Sequence, residues 1–87
     1  MLFKHGQIVA TPGALSLEER GVNLLTYLHR HLSGDWGELE DEDKSENDFS
    51  IEHGFRILST YNTPEGRLWI ITEADRSVTT FLLPEEY

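Results

Sequence analysis

The sequence predicts an α+β fold: N-terminal helices packed on a C-terminal three-stranded antiparallel meander, with an N-terminal strand as a candidate addition. Three observations predict it. Leu24, Leu25, Leu28 and Leu32 recur at helical spacing. The final third is rich in β-branched and aromatic residues. Two turn clusters, at 62–66 and 74–77, cut that third into three runs.

In chain order, residues 3–10 begin as a short strand, with Ile8 and Val9 apolar. Thr11-Pro12 then reads as an N-cap followed by proline at the first helical position, where its missing N–H costs nothing. A short helix runs from 12 to 20 and stops at Gly21, although Gly13 weakens it. A second helix spans about 23–33 and ends at Gly34. Leu25, Leu28 and Leu32 form its stripe, joined by Leu24. Asn23, Thr26 and Arg30 lie on its exposed face. Trp36, between Gly34 and Gly37, folds back onto the domain.

A third helix is expected from Asp41 to His53, capped by Gly54, with its early acids suited to the helix dipole. Its amphipathic signal is poor, because Phe49 and Ile51 point roughly 160° apart. The strands follow at 55–61, 67–73 and 78–83, and Pro84 stops the last. Leu68 to Ile71 is apolar on both faces, as a covered central strand requires.

The 87 residues suit a single domain, 1–87. Its net charge of −9 is concentrated. Residues 35–52 hold nine acids against Lys44, or −8, while the remaining seven acids and six bases leave −1. Such a balance argues against direct nucleic-acid binding, which needs cations for phosphate, and against anionic membranes. With no cysteine, disulfides, thiolate catalysis and cysteine zinc sites are excluded. No apolar run reaches membrane-spanning length and residues 1–4 do not open a signal peptide, so a soluble, cytoplasmic protein is expected.

Few motifs carry chemistry. Asp41, Asp43, Ser45, Asn47 and Glu52 match the EF-hand ligand spacing. Glu46 stands where that loop needs glycine, however, and Asp48 where it needs an apolar residue. His29 and His31, two apart on a helix, point about 200° apart and share no metal. No metal or cofactor is expected. Nucleophile elbows and glycine-rich phosphate loops are absent. Arg56, Arg67 and Arg76 on the sheet, with Glu73 as base, would suit phosphodiester cleavage if they converged.

The acidic segment is the stronger site. Asp35, Glu38, Glu40, Asp41, Glu42, Asp43 and Glu46 are expected to dock on a basic protein partner, with Trp36 as an aromatic anchor. A helix from 38 to 52 spans ~21 Å. Its charge density is within about a factor of two of duplex DNA, at one charge per ~1.7 Å. A DNA-binding protein is therefore one candidate partner. The free edges of a short meander also offer a route to a homodimer.

Several stretches together carry a resemblance. They are Gly6-Gln7-Ile8-Val9-Ala10-Thr11-Pro12-Gly13-Ala14-Leu15, Ser33-Gly34-Asp35-Trp36-Gly37, and Trp69-Ile70-Ile71-Thr72-Glu73-Ala74-Asp75-Arg76-Ser77 continuing to Tyr87. The chain resembles a family of small uncharacterised bacterial proteins of plasmids and integrated mobile elements. Some carry the label "plasmid-related protein" or a type I restriction subunit name. The resemblance implies a setting of mobile DNA, in defence or counter-defence, and carries over no functional residue. A fainter likeness joins Arg56-Ile57-Leu58, the Trp69 strand and Thr79-Thr80 to barnase-like and RelE-like ribonucleases. Arg76 stands where that family has a general-acid histidine.

Overall fold

The computed structural model describes residues 1–87. The elements are β1 (Gln7–Ala10), α1 (Pro12–Glu19), α2 (Leu24–Leu32), α3 (Asp41–His53), β2 (Ile57–Thr63), β3 (Gly66–Thr72), β4 (Val78–Leu82) and a closing 3-10 turn (Pro84–Glu86). The fold is α+β. Its sheet corrects the expected three-stranded antiparallel meander: four strands run in the order β1-β4-β3-β2. β2, β3 and β4 are antiparallel neighbours, whereas β1 lies parallel to β4, with Gln7 opposite Val78 and Ala10 opposite Phe81. No helix is long and apolar enough to cross a membrane.

Local chemistry sets the helix ends. Thr11 Oγ1 accepts from the Ala14 amide at 3.2 Å, and Asn23 Oδ1 accepts from Leu25 and Thr26, which satisfies N–H groups that a first turn leaves free. Gly13, a weak helix former, has a tertiary reason. A Cβ there would lie 2.6 Å from Glu86 Oε1 and from the Leu83 side chain. The Glu86 carboxylate instead accepts from Thr11 Oγ1, Gly13 N and Leu83 N, tying the closing turn to the start of α1.

α1 and α2 cover one sheet face. Ala14, Leu17, Leu24, Leu28 and Leu32 pack with Ile57, Tyr61, Leu68, Ile70 and Phe81 in one core cluster. Each fully buried aliphatic side chain there contributes about 1.5–3 kcal/mol. The α2 stripe differs from the expected one, because Leu25 is 62% exposed and His31 is fully buried in its place.

That histidine has a defined environment. His31 Nδ1 lies 2.5 Å from Ser59 Oγ and Nε2 2.9 Å from Thr72 Oγ1. Thr72 Oγ1 lies 2.7 Å from Thr79 Oγ1, which donates to the His5 carbonyl at 2.8 Å. The carbonyl can only accept, so each hydroxyl upstream has its proton direction fixed. Thr72 therefore donates to Thr79, and His31 Nε2–H donates to Thr72. Burial drives the ring's pKa down to about 3, which keeps it neutral with its proton on Nε2, so Nδ1 accepts from Ser59.

Candidate functional site

α3 has the bounds read from the sequence, but it is attached in an unusual way. The side chains it buries are polar: Asn47 and Ser50. The Asn47 amide pairs with the edge of β2, donating to Leu58 O at 2.6 Å and accepting from Leu58 N at 3.2 Å. Just before α3, residues 36–38 continue the same seal. Thr60 N donates to Trp36 O at 3.2 Å, and Glu38 N donates to Thr60 O at 2.7 Å. Gly37 permits this approach with φ 77°, since a Cβ would fall 1.9 Å from Thr60 O. The outer edge of β2 is thus closed by the acidic segment's own chain.

Acids surround α3 rather than lining one side of it, and in the first turn even Asp43, at the helical angle of Asn47 and Ser50, is exposed. Asp41, Glu42, Asp43, Glu46, Asp48 and Glu52 are exposed, and Glu38 and Glu40 extend the surface ahead of the helix. The two ion pairs of the molecule are Arg30–Asp35 and Arg56–Glu73. No cation therefore pairs with Glu38, Glu40, Asp41, Glu42, Asp43 or Glu46. On the continuous helix the EF-hand-like residues do not converge, since Asp41 and Asp43 point about 200° apart.

Two members of the expected docking set belong elsewhere. Trp36 is 4% exposed. Its ring does fold back onto the domain, stacking near Phe3 at 6.2 Å and lying edge-on to His31 at 6.0 Å. Its Nε1 donates to Asp48 at 3.3 Å. The anchor role is therefore corrected: a core ring offers a partner no surface. Asp35 bonds Arg30 Nε at 2.7 Å and accepts from Gly37 N. The Arg30 hydrogen bond holds its carboxyl below the usual range. It braces the corner rather than adding free charge.

The sheet residues considered for phosphodiester chemistry are only partly assembled. Arg56 grips Glu73 Oε1 through Nε at 3.2 Å and Nη2 at 3.0 Å, and donates to the Tyr87 hydroxyl at 3.1 Å. These three groups border an open hollow of about 220 Å³ floored by Ile71 and Leu82. Arg76 does not join them in presenting charge. Its guanidinium donates to the carbonyls of Phe55 (2.7 Å), Glu73 (3.1 Å), Ala74 (3.1 Å) and Ser50 (2.8 Å). Arg67, at the other end of β3, stands six residues from Glu73, ~20 Å along an extended strand. The set forms no common phosphate cradle.

Two further features escaped the sequence reading. The first is an exposed aromatic group at the end of α3. Phe49 and Phe55 are each 55% exposed. Their rings stack at 5.9 Å with planes 9° apart, and His53 stacks on Phe49 at 4.1 Å. A signal existed: with Ile51 on the inner side, Phe49 had to face out. The second is the free edge of β1. Gln7 N and Thr11 N donate to Ser77 O and Phe81 O of the β4 side. Alternation along a parallel strand then directs the N–H and C=O of Ile8 and Ala10 away from the sheet, where no other strand lies. Comparison with protein-family models, curated proteins and solved structures finds no match.

Proposed function

We propose that the chain is a non-enzymatic protein-binding module whose acidic α3 face docks on the basic surface of a partner. One observation carries the reading: the exposed carboxylates from Glu38 to Glu46 lack cationic partners, while the rest of the chain is nearly neutral. On α3 the exposed acids run from Asp41 to Glu52, over about 17 Å, a length and charge spacing suited to a surface that otherwise holds DNA. A DNA-binding protein is the partner of choice, in the setting of mobile-element defence or counter-defence that the family resemblance implies.

The test needs a partner, supplied by pull-down with the tagged chain from a bacterial lysate and then purified. Affinity is measured between about 50 and 300 mM salt, where the screening length shortens several-fold relative to dilute buffer. The native chain should bind more weakly as salt rises. The combined variant Glu40→Gln, Asp41→Asn, Glu42→Gln, Asp43→Asn should lose at least about tenfold, or 1.4 kcal/mol. Unchanged binding by that variant ends the proposal.

A second reading concerns self-association. The unpaired backbone of Ile8 and Ala10 favours a homodimer through β1, with Ile8 of each copy opposite Ala10 of the other. This edge lies across the sheet from α3, so two acidic faces would sit at opposite ends with little repulsion. Light scattering distinguishes the outcomes. A dimer lost on Ile8→Pro supports pairing here, and a monomer at high concentration removes it.

A further inference from the structure

We infer that the stacked rings of Phe49 and Phe55 are the anchoring contact of this docking face, and that they receive an arginine side chain of the partner. The inference rests on the docking proposal and names the chemistry at its centre. It replaces the buried Trp36 with groups that can be touched.

Four properties of the stack point to this occupant. The rings are exposed yet held firmly. Gly54 turns the chain with φ 74°, Phe55 N donates to Ser50 O at 3.2 Å, and Arg76 clamps both the Phe55 and Ser50 carbonyls from beneath. The platform is therefore pre-organised, which lowers the ordering cost of binding. It also sits within the acidic face, because Phe49 has Glu46 and Glu52 as its i−3 and i+3 neighbours on α3. Finally, an aromatic face carries negative potential.

A guanidinium matches all of this. It is flat, weakly hydrated, stacks on rings and bonds carboxylates with its edges. Lysine offers a point charge that prefers water. The same carboxylates repel nucleic-acid phosphates and anionic headgroups, so a stacked base or a lipid surface fits poorly.

The test uses the full chain with hexa-arginine, hexa-lysine and a single-stranded oligonucleotide as probes, by calorimetry at low salt. The arginine peptide should bind about 2- to 5-fold more tightly than the lysine peptide, the range of an exposed cation–π contact. The double variant Phe49→Leu, Phe55→Leu should erase that preference and leave the salt dependence unchanged. The acid-neutralised variant should weaken both peptides and keep the preference. Circular dichroism confirms that each variant is folded. Equal affinity for the two peptides, or a preference that survives loss of both rings, overturns the arginine platform while leaving the docking face standing. Binding of neither peptide overturns both. Ring-dependent binding of the oligonucleotide overturns the arginine assignment in favour of base stacking.

Discussion

α2 and α3 are built on opposite principles. α2 carries an apolar stripe, burying Leu24, Leu28, Leu32 and the fully bonded His31. α3 fully buries only the polar Asn47 and Ser50, adds a half-buried Ile51 to the core margin, leaves Phe49 in solvent, and is fastened to an edge strand by an amide and to a turn by Arg76. One helix holds the domain together. The other is held out by it. A display element does not need to contribute much to the core, so its outer side is free to carry charge and aromatic rings.

The largest effect should come from the interior. His31→Ala opens a cavity, leaves the buried Ser59 hydroxyl without its histidine partner and removes the donor to Thr72, at a cost of about 3–4 kcal/mol, read by denaturant unfolding. Acid should act through the same ring. Its folded pKa, about 3, lies below the ordinary 6.5, so the unfolded state binds the proton first. The stability this confers is complete above 6.5 and is lost as pH falls towards 3, by about 1.4 kcal/mol per unit. Measured between pH 6.5 and 5, above most carboxylate titration, the slope should flatten in His31→Gln.

A smaller and more local effect is expected at the α3 attachment. Asn47→Ala removes both bonds to Leu58 and should cost about 1–3 kcal/mol. Hydrogen exchange should show protection falling across α3 while α2 amides keep theirs. Equal loss in both helices would mean that the two do not differ as described. Smallest of all, neutralising Glu40, Asp41, Glu42 and Asp43 should change stability by less than about 1 kcal/mol, because the lost attraction of the first-turn acids to the helix dipole is offset by relief of their mutual repulsion. Purified chain should also leave structured RNA uncut, because Arg76 is committed to carbonyls and Arg67 is remote.

What the sequence made legible was punctuation. Thr11-Pro12, Gly21, Gly34 and Gly54 mark helix ends through capping and left-handed turns, and 62–66 marks the β2–β3 hairpin. The pairing of β1 with β4 was not legible, since a contact between Gln7 and Val78 has no local signature. His31 hid within a leucine-rich stretch, because its partners come from two distant strand positions, Ser59 and Thr72. The acidic surface was readable from charge alone. The burial of Trp36 was not legible, because its ring packs near Phe3, 33 residues away, and its Nε1 donates to Asp48, 12 residues on.

Competition with duplex DNA tests the docking account most directly. The purified partner is loaded with the chain and titrated with duplex. The account predicts that DNA displaces the native chain, and that the quadruply neutralised chain binds at least about tenfold more weakly and competes correspondingly poorly. A stable ternary complex of partner, chain and DNA, formed equally well by the neutralised variant, would contradict it.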